Sequence, residues 1–144
     1  MGPIGGTQRE ETGMARILIV EDERNQRLLY QEEFEEQGYQ VRTAESGIEA
    51  LRAVGAFRPD LVVLDISMPG MDGMEALSAI LARYPDLPVV LHTAYSSYRD
   101  NFMSWSAHAY VVKSADRSDL FATVRRLLRS RAGAATGQAA EVGE

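Results

Sequence analysis

Five short apolar runs, separated by longer amphipathic stretches, constrain the fold of this sequence more than any other feature. The runs are RILIV (16–20), YQVRTA (39–44), LVVLD (61–65), PVVLHT (88–93) and AYVVK (109–113). Three of them consist almost entirely of Val, Ile and Leu, as parallel strands covered on both faces do. YQVRTA instead alternates apolar and polar residues, which predicts an edge strand.

The stretches between the runs have the apolar spacing of helices. The predicted helices are residues 23–37, SGIEALRAVGA (46–56), GMEALSAILARY (73–84), YSSYRDNFMSW (95–105) and DRSDLFATVRRLLRSR (116–131). The first carries Leu28, Leu29 and Phe34 and stops at Gly38. Ser46 and Glu49 form a capping box at the second. This alternation predicts an α/β fold, (βα)5, with a doubly wound five-stranded parallel sheet and right-handed crossovers.

Composition excludes several classes of protein. The chain has 144 residues, which suits one domain, and no cysteine, which rules out disulfides, thiolate zinc sites and cysteine nucleophiles. A net charge of −6 argues against nucleic acid as a direct partner of this domain. The apolar runs are shorter than the roughly 18 residues of a membrane span, and the first residues do not resemble a secretory signal. We therefore expect a cytoplasmic protein with no membrane contact.

The two ends of the chain differ in composition from its centre. MGPIGGTQREETG is rich in Gly and polar residues, and Met14 follows it directly before the first apolar run. We predict a disordered leader or tag over residues 1–14 and one folded domain over 15–131. Residues 132–144 are small and polar without an apolar stripe, and are predicted to be a disordered tail or the stub of a linker.

Polar side chains stand where the predicted strands end. Glu21 and Asp22 follow the first strand, and Asp65, Thr93 and Lys113 end the third, fourth and fifth. In doubly wound sheets, ligands bind beyond the carboxyl ends of the strands, so these residues define the candidate site. Three neighbouring carboxylates repel one another unless a cation neutralises them. An all-oxygen set suits a hard ion such as Mg²⁺, which commonly shares its shell with phosphate oxygens.

The other two residues suit a phosphate. A lysine and a threonine can bind phosphate oxygens by charge and by hydrogen bond. A carboxylate between them and the metal can attack phosphorus, since aspartyl-phosphates are known covalent intermediates. His92 and His108 are predicted to be strand residues rather than ligands, because neither has a histidine partner at metal-binding spacing.

With these motifs in place, the chain resembles the receiver domain of two-component response regulators, over roughly residues 15 to 131. The resemblance rests on VEDE, LVVLDISMPGMDG, the Thr93–Ala94 pair in LHTAY, and AYVVK, which match in order and in position at strand ends. It implies the flavodoxin-like strand order 2-1-3-4-5. It also implies that the domain is a signalling element and not a conventional enzyme, since it catalyses only its own phosphorylation and dephosphorylation.

The resemblance implies a role for each site residue. Asp65 would accept the phosphoryl group from a sensor histidine kinase or phosphotransfer protein. Glu21, Asp22, Asp65 and the backbone carbonyl of Ser67 would hold Mg²⁺, with Glu21 acting mainly through water. Thr93 would hydrogen-bond the phosphoryl oxygen, and Lys113 would pair with Asp65 or its phosphate. Tyr110 would be the switch aromatic, although ordinary strand packing is its alternative role.

Signal output is implied in the same way. The switching surface would comprise the helix predicted at 95–105, the fifth strand and the last helix. Its partner would be a downstream output protein or domain, and dimerisation that depends on phosphorylation is one way such a domain can act. The chain departs from the family at Ser114, where proline usually follows the lysine. A non-proline cis bond costs about 2.5–4 kcal/mol, so we expect a trans bond here and a differently aimed Lys113.

Three alternative functions follow from the same residues. A degenerate receiver would act as a phosphate-independent protein-interaction module, and Lys113–Ser114 is the only feature that favours it. A Mg²⁺ phosphohydrolase of the haloacid dehalogenase type resembles this site but requires Asp-x-Asp, and Ser67 occupies the second position. A flavin-binding protein would need a phosphate loop rich in Ser, Thr and Gly after the first strand, and none follows it.

Overall fold

One parallel sheet organises the protein. The computed structural model describes residues 15–65, 73–94, 108–114 and 116–136. Its strands are β1 (Arg16–Val20), β2 (Gln40–Ala44), β3 (Leu61–Leu64), β4 (Val89–Thr93) and β5 (Ala109–Val112). Its described helices are α1 (Arg24–Glu36), α2 (Gly47–Phe57), α3 (Gly73–Arg83) and α4 (Ser118–Thr136). The helix predicted at 95–105 lies outside the described residues, as do the leader and the end of the tail.

The strands lie in the order β2-β1-β3-β4-β5, and each neighbouring pair is parallel. This confirms the predicted fold class and strand order. β2 lies at one edge, as its alternating sequence predicted, and its side chains are mostly exposed or half-buried. The chain turns outward in opposite directions from β1 and β3, so a crevice opens between their carboxyl ends.

Alternate side chains of each strand supply two separate cores. In β1, Ile17 and Ile19 face one side of the sheet, and Leu18 and Val20 face the other. Helices α2 and α3 cover the side of Leu18, whereas α1 and α4 cover the side of Ile17. Because both faces are covered, the central strands are apolar at almost every position, which is the pattern seen in the sequence.

Side-chain caps and a glycine mark the helix ends as predicted, except that the capping box of α2 is only half formed. Ser46 accepts a hydrogen bond from the backbone N–H of Glu49 at 3.1 Å, as the capping box predicted. The Glu49 carboxylate accepts from the backbone of Glu45 rather than of Ser46. Gly38, with φ of 99°, ends the turn after α1, in a conformation that glycine adopts without strain.

Two further features of the helices differ from the sequence pattern. Leu28 and Leu29 are 48% and 39% exposed, and α1 packs against the core through Tyr30 and Phe34 instead. The last helix does not stop at residue 131 but continues to Thr136, so residues 132–136 are helical. None of the helices within the described ranges is long and apolar enough to span a membrane.

Candidate phosphoacceptor and metal site

The carboxyl ends of the strands bring the predicted site residues together. Glu21 follows β1, Asp65 follows β3, and Lys113 follows β5. The backbone N–H of Asp65 donates to Val20 at 3.1 Å, and that of Lys113 donates to Thr93 at 2.6 Å. These bonds continue the strand pairing by one residue, and so each polar side chain is fixed where its strand leaves the sheet.

A carboxylate cluster occupies the crevice between β1 and β3. One carboxylate oxygen from each of Glu21, Asp22 and Asp65 lies within 4.8 Å of the others. Glu21 and Asp65 are only 3% and 5% exposed, whereas Asp22 is exposed. The donor set is entirely oxygen and opens to solvent through Asp22, which suits a hydrated Mg²⁺ ion.

Lys113 lies against this cluster and uses all three of its N–H donors. Its Nζ is 2.9 Å from Glu21 Oε1, 3.0 Å from Gln26 Oε1 and 3.4 Å from Asp65 Oδ2. The predicted pairing with Asp65 is present, but Glu21 is the nearer carboxylate. Lys113 is also the only lysine among the fifteen Lys and Arg residues of the chain.

The departure at Ser114 does not redirect Lys113. No cis peptide bond occurs among the described residues, so the Lys113–Ser114 bond is trans as expected. Lys113 nevertheless reaches both buried carboxylates, and the expectation that it would be aimed elsewhere was wrong. The Ser114 hydroxyl instead donates to the backbone carbonyl of Asp116 at 2.6 Å, which closes the turn before α4.

Burial and charge act together on the ionisable groups of the site. Burial raises the pKa of Glu21 above its ordinary value of 4.5, and the hydrogen bond from Lys113 opposes this shift while the charge of Asp65 adds to it. Burial alone would lower the pKa of Lys113, but its bond to Glu21 and the charges of Asp65 and Glu21 outweigh burial and raise it. The site therefore holds more negative charge than its single ammonium neutralises.

Thr93 and Tyr110, two other residues of the predicted site, are both buried. Thr93 ends β4 and is fully buried beside the site. Tyr110 is also buried and belongs to the core on the side of α2 and α3. Ser67 lies outside the described residues. Glu23 is the N-cap of α1, and its carboxylate accepts from the backbone N–H of Gln26 at 2.8 Å.

Sequence reasoning missed two polar residues of α1, Gln26 and Tyr30, that lie next to Lys113. Gln26 contacts Lys113, and the hydroxyl of buried Tyr30 donates to the same Gln26 oxygen at 3.2 Å. The His92 ring lies 5.4 Å from the Tyr30 ring and is itself buried. The available signal was helical spacing, since Gln26 and Tyr30 are four residues apart on the face of α1 that turns toward the strand ends.

His92 is buried in neutral form beside the site. Burial, together with the nearby charges of Lys113 and Arg117, lowers the pKa of His92 to about 3. His108 also has a lowered pKa because of burial, and its Nδ1 accepts from the backbone of Val89 at 3.2 Å. Both rings are built into the sheet region, in keeping with the predicted structural role.

This arrangement of fold and site defines a receiver domain. Residues 17–125 match the family model described as the response regulator receiver domain, and the chain belongs to that family. It is similar to the response regulator TrrA from Thermotoga maritima, solved in complex with Mg²⁺-BeF, at 46% identity and a TM-score of 0.76. That match covers 79% of this chain and 99% of the other.

A second solved structure of TrrA and one further relative are also similar to this chain. TrrA in complex with the histidine kinase ThkA is 47% identical, with a TM-score of 0.74, and the match covers 80% of this chain and 99% of that one. The transcriptional regulatory protein PrrA of Mycobacterium tuberculosis is 38% identical over 130 residues, which are 88% of this chain and 56% of PrrA. The chain thus spans about half the length of that relative.

Proposed function

We propose that this receiver domain accepts a phosphoryl group on Asp65 from the phosphohistidine of a sensor kinase. The observation that carries the proposal is the position of Asp65, buried at the end of β3, within 3.4 Å of Lys113 and inside the carboxylate cluster. TrrA supports it in two ways, since it was solved both with a histidine kinase and with Mg²⁺-BeF.

In the proposed reaction, an Asp65 oxygen attacks phosphorus and forms the P–O bond. The P–N bond to the donor histidine breaks, and its electron pair returns to the imidazole nitrogen. Mg²⁺ held by Glu21, Asp22, Asp65 and the Ser67 carbonyl would neutralise the charge of the phosphoryl oxygens and orient them. Lys113 and Thr93 supply an ammonium and a hydroxyl to those oxygens. Water later attacks phosphorus, the P–O bond to Asp65 breaks, and inorganic phosphate leaves as the carboxylate is restored. The chain thus catalyses only its own modification.

The phosphoryl group must then change the output surface. Moving a two-state equilibrium from 1:99 to 99:1 needs about 5.5 kcal/mol, whereas one hydrogen bond to a charged group contributes about 1.5–3 kcal/mol. A single contact to Thr93 is therefore too small, and contacts from Thr93 and Lys113 with repacking of Tyr110 are needed together. The surface that responds comprises residues 95–105, β5 and α4, and an output protein, an output domain or a second phosphorylated copy would bind there.

Phosphorylation by acetyl phosphate with Mg²⁺ tests the proposal. The wild-type chain should incorporate one phosphoryl group, and incorporation should be lost in Asp65→Asn and in the presence of a chelator. Asp60→Asn is a matched control, since Asp60 is an aspartate at the opposite end of β3, where its carboxylate binds the backbone of Arg16. No incorporation into the wild type would favour the phosphate-independent interaction module instead.

A further inference from the structure

The Lys113 ammonium has one partner that carries no charge. Two of its three contacts are to the carboxylates of Glu21 and Asp65, and the third is to the amide oxygen of Gln26 at 3.0 Å. A metal ion competes with an ammonium for carboxylate oxygens, but a neutral amide is a weaker metal ligand than a carboxylate. Lys113 can therefore keep its contact with Gln26 when a metal ion takes over the carboxylate oxygens of Glu21 and Asp65.

Gln26 is itself held in place from two directions. Its backbone N–H donates to the N-cap carboxylate of Glu23 at 2.8 Å, which fixes the residue in the first turn of α1. Its side-chain oxygen also accepts from the hydroxyl of Tyr30 at 3.2 Å. Burial raises the pKa of Tyr30, so its hydroxyl stays protonated at neutral pH and remains a donor.

Tyr30 is in turn fixed by the elements on either side of it. The guanidinium of Arg117, just before α4, lies 5.5 Å from the centre of the Tyr30 ring, and the His92 ring packs at 5.4 Å. Arg117 also forms a two-pronged ion pair with Glu33 of α1, with one contact at 2.7 Å. These contacts hold the Tyr30 ring between α4 and the sheet, in the position from which its hydroxyl donates to Gln26.

We infer that Gln26 is a positioning residue, held by Tyr30, that aims the Lys113 ammonium at the Asp65 carboxylate. This inference rests on the proposed function, because aiming Lys113 matters to the reaction only if Asp65 is phosphorylated. Gln26 acts through Lys113, whose ammonium it contacts at 3.0 Å. A glutamine suits the position because a glutamate there would add a fourth carboxylate to a site that already has three.

Gln26→Met tests the inference, because methionine has a similar length and no strong hydrogen-bond acceptor. The rate of phosphorylation by acetyl phosphate with Mg²⁺ should fall by roughly tenfold, the effect of losing about one hydrogen bond to a charged group. Tyr30→Phe, which removes only a hydroxyl, should slow the reaction less and in the same direction. Gln31→Met is the matched control, since Gln31 lies on the same helix and its side chain donates to Glu35, and it should leave the rate unchanged.

A second readout does not depend on phosphorylation. Because Lys113 is the only lysine, protein labelled with ¹⁵N-lysine gives a single side-chain ammonium signal. Without metal, Gln26→Met should speed hydrogen exchange of that ammonium several-fold, and Gln31→Met should not. An unchanged exchange rate in Gln26→Met would overturn the inference, as would an equal loss of phosphorylation rate in Gln31→Met. If the wild type is not phosphorylated but the ammonium signal responds to Gln26→Met, the contact stands and the proposed function fails.

Discussion

Glu21 is a buried carboxylate whose ionisation depends on the groups around it. In the absence of metal it is buried, bonded to Lys113 and close to Asp65, and its pKa is raised. A carboxyl group whose pKa is raised on folding stabilises the fold at pH values below its unfolded pKa, and this stabilisation is lost as the pH rises through the folded pKa. At neutral pH the ionised Glu21 is therefore a cost to the metal-free protein.

Glu21→Gln should have opposite effects on the stability of the metal-free protein and on its stabilisation by Mg²⁺. At neutral pH and without metal, the variant should have a higher free energy of unfolding than the wild type, because the amide keeps an acceptor for Lys113 and removes the buried charge. Mg²⁺ should then stabilise the variant less, since one ligand is weaker. Urea unfolding with and without Mg²⁺ measures both effects. A metal-free variant less stable than the wild type, with unchanged stabilisation by Mg²⁺, would contradict this account.

His92 should make the fold sensitive to acid. Its pKa is lowered to about 3 from an ordinary value of 6.5, so on acidification the unfolded chain takes up a proton before the folded one does. Stability contributed by the neutral ring is present above pH 6.5 and is lost as the pH falls toward 3, by up to about 1.4 kcal/mol per pH unit.

The corresponding variant is His92→Phe, which keeps an aromatic ring beside Tyr30. Its free energy of unfolding should fall less steeply with acidification between pH 6.5 and 4 than that of the wild type. His108 titrates in both proteins, so the difference between the two curves isolates His92. Parallel curves would show that His92 is not held neutral by the fold.

At the scale of elements, α1 has two sides with different tasks. One side packs Tyr30 and Phe34 against the sheet, and the other exposes Leu28 and Leu29. The sequence alone could not show which apolar residues of this helix face the core. Leu28, Leu29 and Phe34 stand among many charged residues, and more than one rotation of the helix would bury some of them. The observed orientation follows from Tyr30, which brings Gln26 to the strand ends.

The free energies of unfolding of alanine variants show which side of α1 packs against the core. Phe34→Ala should lower the free energy of unfolding by about 3–5 kcal/mol, because it leaves a cavity between α1, Tyr39 and Phe121. Leu28→Ala should change it by less than about 1 kcal/mol, because nearly half of the side chain is already in solvent. Similar losses from both substitutions would contradict the observed orientation.

The proposed output surface, which comprises residues 95–105, β5 and α4, is also formed by whole elements. With an acyl-phosphate mimic and Mg²⁺, amide hydrogen exchange should change in β5, which contains Tyr110 and directly precedes Lys113, and in residues 95–105, which follow Thr93 in the sequence. The strands β1 and β2 serve as the internal reference, and their exchange should stay the same. Unchanged exchange over 95–112 would refute the proposed output surface.

For the whole molecule, apolar periodicity was enough to predict a parallel sheet, the family resemblance supplied its strand order, and the residues at strand ends were enough to predict which polar side chains lie together. Asp65, Glu21, Asp22 and Lys113 were expected together because parallel strands end at one edge. The nearer partner of Lys113 and the role of Gln26 were not predictable in this way. Gln26 and Lys113 are 87 positions apart, and their contact depends on how α1 is rotated and how far it is displaced along the sheet, which periodicity does not encode.

The central claim concerns one residue, and its most direct measurement is the position of the phosphoryl group. Acyl phosphates are reduced by borohydride, which converts a phosphorylated aspartate to homoserine and marks it in a peptide map. After treatment with acetyl phosphate and Mg²⁺, we expect this mark at Asp65 alone, and at no residue when Mg²⁺ is withheld. A mark at Asp22 or Asp60, or none at any aspartate, would contradict the account.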